Sequence, residues 1–547
     1  MSYHRPVPKR SIPDFPRLGR PGSRAAELHF ESLRDASPAA PGLRLQDFHH
    51  FLLLRWVGTV GALMIGIGGL GAGALPVVNN PYGGFPLGDV MSRMLQTSSS
   101  VVLIGVGLVV LAWLLMSRYV GSASVTVAQL LRTLVAWSLP IFFTAPLFTQ
   151  DIYSYLAQGS VVTHGMDPYS AGPVELLGTE NHLARSVPFI WAQSPSPYGP
   201  VALAISALIN DVTRESIVLG VLAHRGVSVL GIALSAWAIV HLARRCGVRP
   251  PTALWLGVLN PLTLLHLIGG IHNEAILLGL ALAGMELGLR GVDALDRPER
   301  SRGVLLLAAS IALISSAGMV KVTGFLGLGF VGMALARHLN RREHGRALGP
   351  TLSVLGAALV MTVGLVATVA AVTLISGIDL GWVTGQGGAA TIRSWMSLTT
   401  DVGVIAGVIG MLLGLGDHTE AILIITRGVG VVVAVAFIVR MLFATFRGTI
   451  HPVGGLGVGT FILVILFPVV HPWYMLWAIL PLATWANRPI FRIAVMIYSA
   501  AMSVFVLPRG LALPGTTVLT IYVSAAIFGA LLIGLGWLVL RRARVVA

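Results

Sequence analysis

The sequence predicts an all-α integral membrane protein, a polytopic bundle of about fourteen membrane helices (about 12–15) with both termini cytoplasmic. Three observations carry that prediction. Hydrophobic residues make up 55% of the chain, charged residues only 11%, and mean hydropathy is +0.82. Many charge-free windows reach about 18 residues, the length needed to cross a hydrocarbon core. Between those windows arginine recurs in clusters, as expected of cytoplasmic loops.

Residues 1–50 are rich in Pro, Ser and Arg and hold no apolar core, which predicts a disordered cytoplasmic tail. They contain no short apolar region with a small-residue cleavage site, so no cleaved signal peptide is expected. The membrane domain is predicted over 51–545, its first helix starting near Phe51 and serving as the uncleaved insertion signal. Arginine clusters then fall at 1–44, Arg118, Arg244 to Arg249, Arg290 to Arg302, Arg337 to Arg346, Arg440 and Arg447, Arg488 and Arg492, and Arg541 to Arg544. Each interval between neighbours has room for two crossings and a polar tip, which gives the hairpin topology.

The tips all fall on the side opposite the arginines, the outside of the membrane. They lie at 75–99, 149–215, 269–275, 318–324, 377–420, 471–475 and 508–515. The hairpin 303–336 allows about sixteen residues per leg, short of the usual twenty or so, which implies helices ending in a solvated cavity. Runs 199–210 and 402–414 are too short to span and read as interfacial or re-entrant. Glycines 66, 68, 69, 71 and 73 lie inside an apolar helix with no preceding strand, and read as helix packing through small residues.

Composition also excludes functions. The formal charge of +15 does not signal nucleic acid, because the arginines are scattered between apolar runs and form no basic face. One cysteine, Cys246, rules out an intrachain disulfide and a cysteine-based metal site. Lys9 and Lys321 are the only lysines, which makes Lys321 conspicuous at an outer tip.

Chemistry is expected at the tips, and first at Asp151. It stands where a long apolar run stops and the polar, aromatic-rich loop 149–215 begins. Acids at a membrane edge are costly and mark sites; the alternative is a helix N-cap. On a helix, Asp151, Tyr155 and Gln158 share one face. Tyr153, Asp167, Tyr169 and Tyr198 supply rings and hydrogen-bonding groups suited to a sugar, with capping the competing role for Asp167. Lys321 suits an anionic phosphate as a point charge, against simple snorkelling. Arg393 and Arg509, like Arg93, Arg185 and Arg214, break the positive-inside trend and are candidate anion ligands. His272, Asn273 and Glu274, with His471, Trp473 and Tyr474, offer further groups to a hydroxylated ligand. No His pair at i, i+4 and no HExxH pattern marks a metal. Glu286, Arg427 and the pair His224–Arg225 are expected to stabilise the bundle interior by pairing.

The segment QDIYSYLAQGSVVTHGMDPYSAGP, followed by SPSPYGPVALAISALI, resembles the polyprenol-phosphomannose-dependent α-(1→6)-mannosyltransferases of actinobacteria, which build the mannan core of lipomannan. GGIHNEA, GMVKVTGF, IRSWMS and HPWYMLW extend the resemblance over about residues 150 to 480; residues 1–50 take no part. It implies a membrane glycosyltransferase of the GT-C fold, with the acid of the first large outer loop at Asp151. Ile152 stands where many relatives of that fold carry a second acid. That departure and a monophosphate donor imply metal-independent catalysis without a cofactor. The implied reaction is inverting transfer of mannose from polyprenyl (decaprenyl) phosphomannose to a mannosylated glycolipid acceptor in the cytoplasmic membrane. Asp151 would act as base, with Lys321 and Arg393, or Arg509, on the phosphate. The main rival is a transporter or flippase for a lipid-linked saccharide. Transporters place substrate near the midplane between internal repeats, whereas here no repeat is evident and the polar groups gather at one face. A scaffold subunit would not need so many polar outer tips.

Overall fold

A computed structural model of the chain describes residues 41–295, 300–341, 349–384 and 393–542, and every regular element among them is helical. Helices satisfy their own backbone hydrogen bonds, the requirement that hydrocarbon imposes on a spanning segment. The chain is thus a polytopic membrane protein. Nine of the described helices are long and apolar enough to cross a membrane, and five shorter apolar helices accompany them.

Helix α1 (Pro41–Ala72) packs against α2 (Leu95–Met116) and α3 (Val127–Phe142). A Cβ at Gly66 would stand 2.7 Å from the Pro140 carbonyl oxygen, and one at Gly68 2.8 Å from that of Ser98. The glycine run is therefore a packing surface, as the sequence implies. The start of α1 differs from expectation, since it lies at Pro41 instead of near Phe51. Proline suits the first helical turn, and no Gly or Pro interrupts the chain from Leu43 to Val57. The part of the predicted tail at 1–40 lies outside the described residues.

After α3 come α4 (Asp151–Thr163), α5 (Pro200–Thr213) and α6 (Ile217–Arg245). A broken element follows, α7 (Pro250–Leu256) and a π-helical stretch Thr263–Gly269, then α8 (Glu274–Leu295). The next hairpin is α9 (Arg300–Gly318) with α10 (Leu326–Leu339). Its legs run to 19 residues and, counting the 3-10 turn Val322–Phe325 that leads into α10, 18 residues, longer than the sixteen or so expected, because both continue into their arginine-bearing ends, where long cationic side chains can snorkel. Then come α11 (Pro350–Ser376), α12 (Leu398–Leu412) and α13 (Thr419–Arg447). The chain closes with α14 (Pro452–Leu466), α15 (Leu476–Trp485), α16 (Pro489–Phe505) and α17 (Gly515–Arg542).

Helix α8 is central, with 72% of its apolar window buried, whereas α11 and α17 are peripheral at 6% each. The polar tips are laced together by backbone bonds. Leu147 N–H donates to the Gly269 carbonyl at 3.0 Å, Phe148 N–H to that of Pro508 at 2.7 Å, and Val201 N–H to that of Met319 at 3.2 Å. Ser397 Oγ donates to the Phe467 carbonyl at 2.7 Å. Chain segments far apart in sequence thereby form one wall.

Candidate active site

Helix α4 presents the face read from its spacing. Its N-cap is Gln150, so Asp151 is not the cap and its carboxylate is available for other partners. Asp151 Oδ1 accepts a hydrogen bond from Trp191 Nε1 at 2.9 Å. One turn on, the Tyr155 and Tyr198 hydroxyls lie 3.2 Å apart. Ser196 Oγ donates to Gln158 Oε1 at 3.0 Å. The whole face therefore docks on the segment 191–198.

Across from it, Asp151 Oδ2 lies 3.6 Å from His272 Nδ1, and 22% of the Asp151 side chain remains exposed. The His272 ring stacks on Trp473 at 3.9 Å, and His471 stacks on Trp473 at 4.6 Å. Next to this stack Lys321 Nζ donates to Glu274 Oε1 at 2.8 Å and to the Tyr474 hydroxyl at 2.9 Å. It also lies 4.1 Å from the centre of the Tyr474 ring and 5.0 Å from that of Trp477. An ammonium has three N–H groups, and two of them find oxygen acceptors among the described residues.

Burial pushes the Asp151 carboxyl up from its ordinary range; the Trp191 and Thr149 hydrogen bonds pull it down, Glu274 pushes it up and Lys321 pulls it down. Burial opposes the Lys321 cation, but Glu274 and the neighbouring phenols outweigh it and hold the ammonium protonated. Burial, with His471 and Lys321 adding repulsion, holds His272 well below its ordinary value. Burial and Lys321 lower His471 to about 4. The same burial favours the neutral form of His272, which faces Asp151 Oδ2 at 3.6 Å.

Several expected residues have other duties. Tyr153 is fully buried, and its hydroxyl donates to the Ala74 carbonyl at 2.8 Å; the phenol is a strut and does not line the opening. Gln158 is likewise buried against Ser196. Asp167 is exposed and forms a local turn, its carboxylate accepting from Tyr169 N–H at 2.9 Å. Tyr169 donates to the Tyr198 carbonyl at 3.1 Å and packs over Gly381. Asn273 is half-buried just ahead of α8. Arg393 is exposed and ion-paired with Glu420. Thr391 and Ile392 of the IRSWMS neighbourhood lie outside the described residues.

Arg509 is half-buried and, among the described residues, has no hydrogen-bond or ion-pair partner. It follows Pro508, whose carbonyl holds Phe148 N–H. Trp191, the direct partner of Asp151, was not among the expected residues; its only sequence signal is an indole in the same polar loop. Arg225, expected to stabilise the bundle interior by pairing, donates to five backbone carbonyls. Glu286 does pair as expected, with Arg290 at 2.6 Å. No group of three or more His, Cys, Asp or Glu among the described residues is placed to hold a metal ion.

Stacked rings suit sugar faces, and a base beside a cation suits displacement of a phosphate. Within an apolar bundle, that combination fits the class of membrane glycosyltransferases.

The comparisons narrow the class. Residues 55–337 match the family described as "Alpha-(1->6)-mannopyranosyltransferase, N-terminal domain", and 399–534 match "MptB C-terminal domain". The chain is 59% identical to alpha-(1->6)-mannopyranosyltransferase B of Corynebacterium glutamicum, over 98% of this chain and 93% of that one. It is 41% identical to an alpha-(1->6)-mannopyranosyltransferase of Mycobacterium tuberculosis, over 82% and 81% of the two chains. To alpha-(1->6)-mannopyranosyltransferase A of Corynebacterium glutamicum it is 29% identical over 75% and 82%, so the likeness is to the B type. No solved structure matches. The chain belongs to the alpha-(1->6)-mannopyranosyltransferase family and is a mannosyltransferase; the transporter reading is set aside.

Proposed function

We propose that the enzyme moves mannose from a polyprenyl phosphomannose to a lipid-anchored mannan acceptor, forming α-(1→6) linkages with inversion, on the outer face of the cytoplasmic membrane. The observation that carries this reading is the partly exposed Asp151 carboxylate, fixed between Trp191 and His272 with Lys321 nearby. The acceptor 6-hydroxyl gives its proton to Asp151 while its oxygen attacks the anomeric carbon. The carbon–oxygen bond to phosphate breaks, and the departing phosphate is met by the remaining Lys321 N–H. Arg509 replaces Arg393 as the second cation, because Arg393 already pairs with Glu420. Preorganised cations aimed at developing charge are among the strongest catalytic contributions. No metal is required in this scheme. The fold assignment is GT-C.

Two large apolar cavities lie between helices. One of about 590 Å3 separates α3 from α6; another of about 640 Å3 lies between α11, Phe325 and the turn holding Trp382. The second is assigned to the prenyl chain, because its outer end adjoins Gly381, under Tyr169 of the 149–215 loop. Purified enzyme in detergent, given polyprenyl phosphomannose and short mannosides, is expected to yield α-(1→6)-extended products. Failure of transfer in an otherwise folded preparation counts against the donor assignment.

Two further outcomes follow from this reading. The Trp191 hydrogen bond favours the charged carboxylate, so Trp191→Phe raises the Asp151 pKa further. Base is present above that pKa, and the acid limb of kcat/KM is therefore expected to move to higher pH. An unmoved limb would separate Trp191 from the basicity of Asp151. Ser170 is exposed, so Ser170→Cys, with Cys246→Ser, is expected to react with an impermeant thiol reagent in intact cells. Reaction only after permeabilisation would put the loop in the cytoplasm.

A further inference from the structure

Arg225 on α6 touches neither Asp151 nor His272, yet it has the most saturated set of contacts near the site. It is fully buried. Its Nε donates to the Ile268 carbonyl at 3.1 Å. Nη1 donates to Phe142 at 2.6 Å and to Thr144 at 2.7 Å. Nη2 donates to Ala145 at 3.3 Å and to Gly269 at 3.4 Å. A guanidinium has five N–H groups in a fixed plane, and each finds a carbonyl here. Among the described residues no carboxylate pairs with it.

A buried cation without a counter-ion is costly, and packing two segments together does not require one. The placement of the carbonyls accounts for it. Phe142, Thr144 and Ala145 lie where α3 ends and the chain turns toward Asp151; Ile268 and Gly269 end the π-helical stretch that leads to His272. Helix C-termini present unpaired carbonyls and partial negative charge, so one guanidinium ties off both. The two arms are joined again by Leu147 N–H to the Gly269 carbonyl at 3.0 Å. Beyond that bond each arm passes through a non-glycine residue with positive φ, Phe148 at 68° and Ile271 at 59°. Such conformations persist only where the surroundings over-determine them. They end on Asp151 and His272, 3.6 Å apart.

We propose that Arg225 is a positioning residue that sets the approach of the Asp151 carboxylate to His272 by clasping the two backbone arms that carry them. The inference rests on Asp151 being the base. Lysine in its place offers three N–H groups from a single point and cannot span both carbonyl sets.

The test compares Arg225→Lys, Arg225→Met and Asp151→Asn with wild type in detergent, using polyprenyl phosphomannose and a short mannoside. Size exclusion and thermal unfolding report the folded fraction, and rates are taken per folded molecule. Arg225→Lys is expected to fold and to lose about 10- to 100-fold in kcat, the effect of an ångström-scale misplacement, with donor KM within about twofold. Wild-type kcat in folded Arg225→Lys overturns the proposal, as does a change in KM alone. If neither Arg225 variant folds, the arginine holds the fold itself and the positioning role is likewise overturned. Full activity in Asp151→Asn instead overturns the base assignment, whatever Arg225 shows.

Discussion

Asp151→Asn is expected to lower kcat by about 10²–10⁴-fold, the range of a lost general base, while donor KM holds. The substitution isolates chemistry from structure. Asparagine keeps an oxygen to accept from Trp191, which now donates at 2.9 Å. Helix α4 does not depend on Asp151 as a cap, because Gln150 holds that position. What disappears is the proton acceptor, so the loss belongs to the chemical step. Asp167→Asn is the matched control. That acid sits in an exposed turn which asparagine also forms, and its kcat is expected to stay within about twofold of wild type. Retention of more than about a tenth of wild-type kcat by folded Asp151→Asn would fall below the smallest expected base effect. The role would then pass to another acid, with Glu274 the first to examine.

Lys321→Ala is expected to destabilise the protein by about 3 kcal/mol or more and to abolish donor use. Glu274, only 4% exposed, would lose its partner at 2.8 Å, and stranding a buried charge is strongly unfavourable. Such a variant confounds folding with function. The pair Lys321→Met with Glu274→Gln removes both charges together, which is close to neutral for stability when the shapes are kept. This double variant is expected to fold and to remain without measurable transfer. Recovery of activity in it, measured as donor kcat/KM, would reduce Lys321 to a structural ion-pair partner. Lys321→Arg, which differs in shape and hydration, is expected to restore only part of the rate.

The class of the protein was legible because hydropathy and arginine spacing are local signals. The face of α4 was legible for a similar reason: residues three and four apart align on any helix. That spacing placed Asp151, Tyr155 and Gln158 together, and the three do meet one segment, 191–198. Pairing between tips was not legible. Lys321 meets Glu274 at a separation of 47 residues and Trp191 meets Asp151 at a separation of 40, distances over which spacing carries no information. Tyr153 shows the complementary limit. It stands two residues past Asp151, which on a helix turns it to the opposite side, and its phenol ends on the Ala74 carbonyl. Arg393 departs from the charge rule, and the acid it meets, Glu420, follows it by 27 residues. Arg225 was marked as a buried charge, and the sequence offered no sign that backbone would serve as its counter-charge.

Helix α17, with only 6% of its apolar window buried, bears on how such a chain can change over generations. A side chain surrounded by lipid is judged by its transfer energy, which is nearly the same for Leu, Ile, Val and Phe. One inside the close-packed bundle is judged by its shape as well. In α17 substitution within the apolar alphabet is therefore expected to change little. Its residues are spelled loosely, while α8, at the centre, is spelled letter by letter.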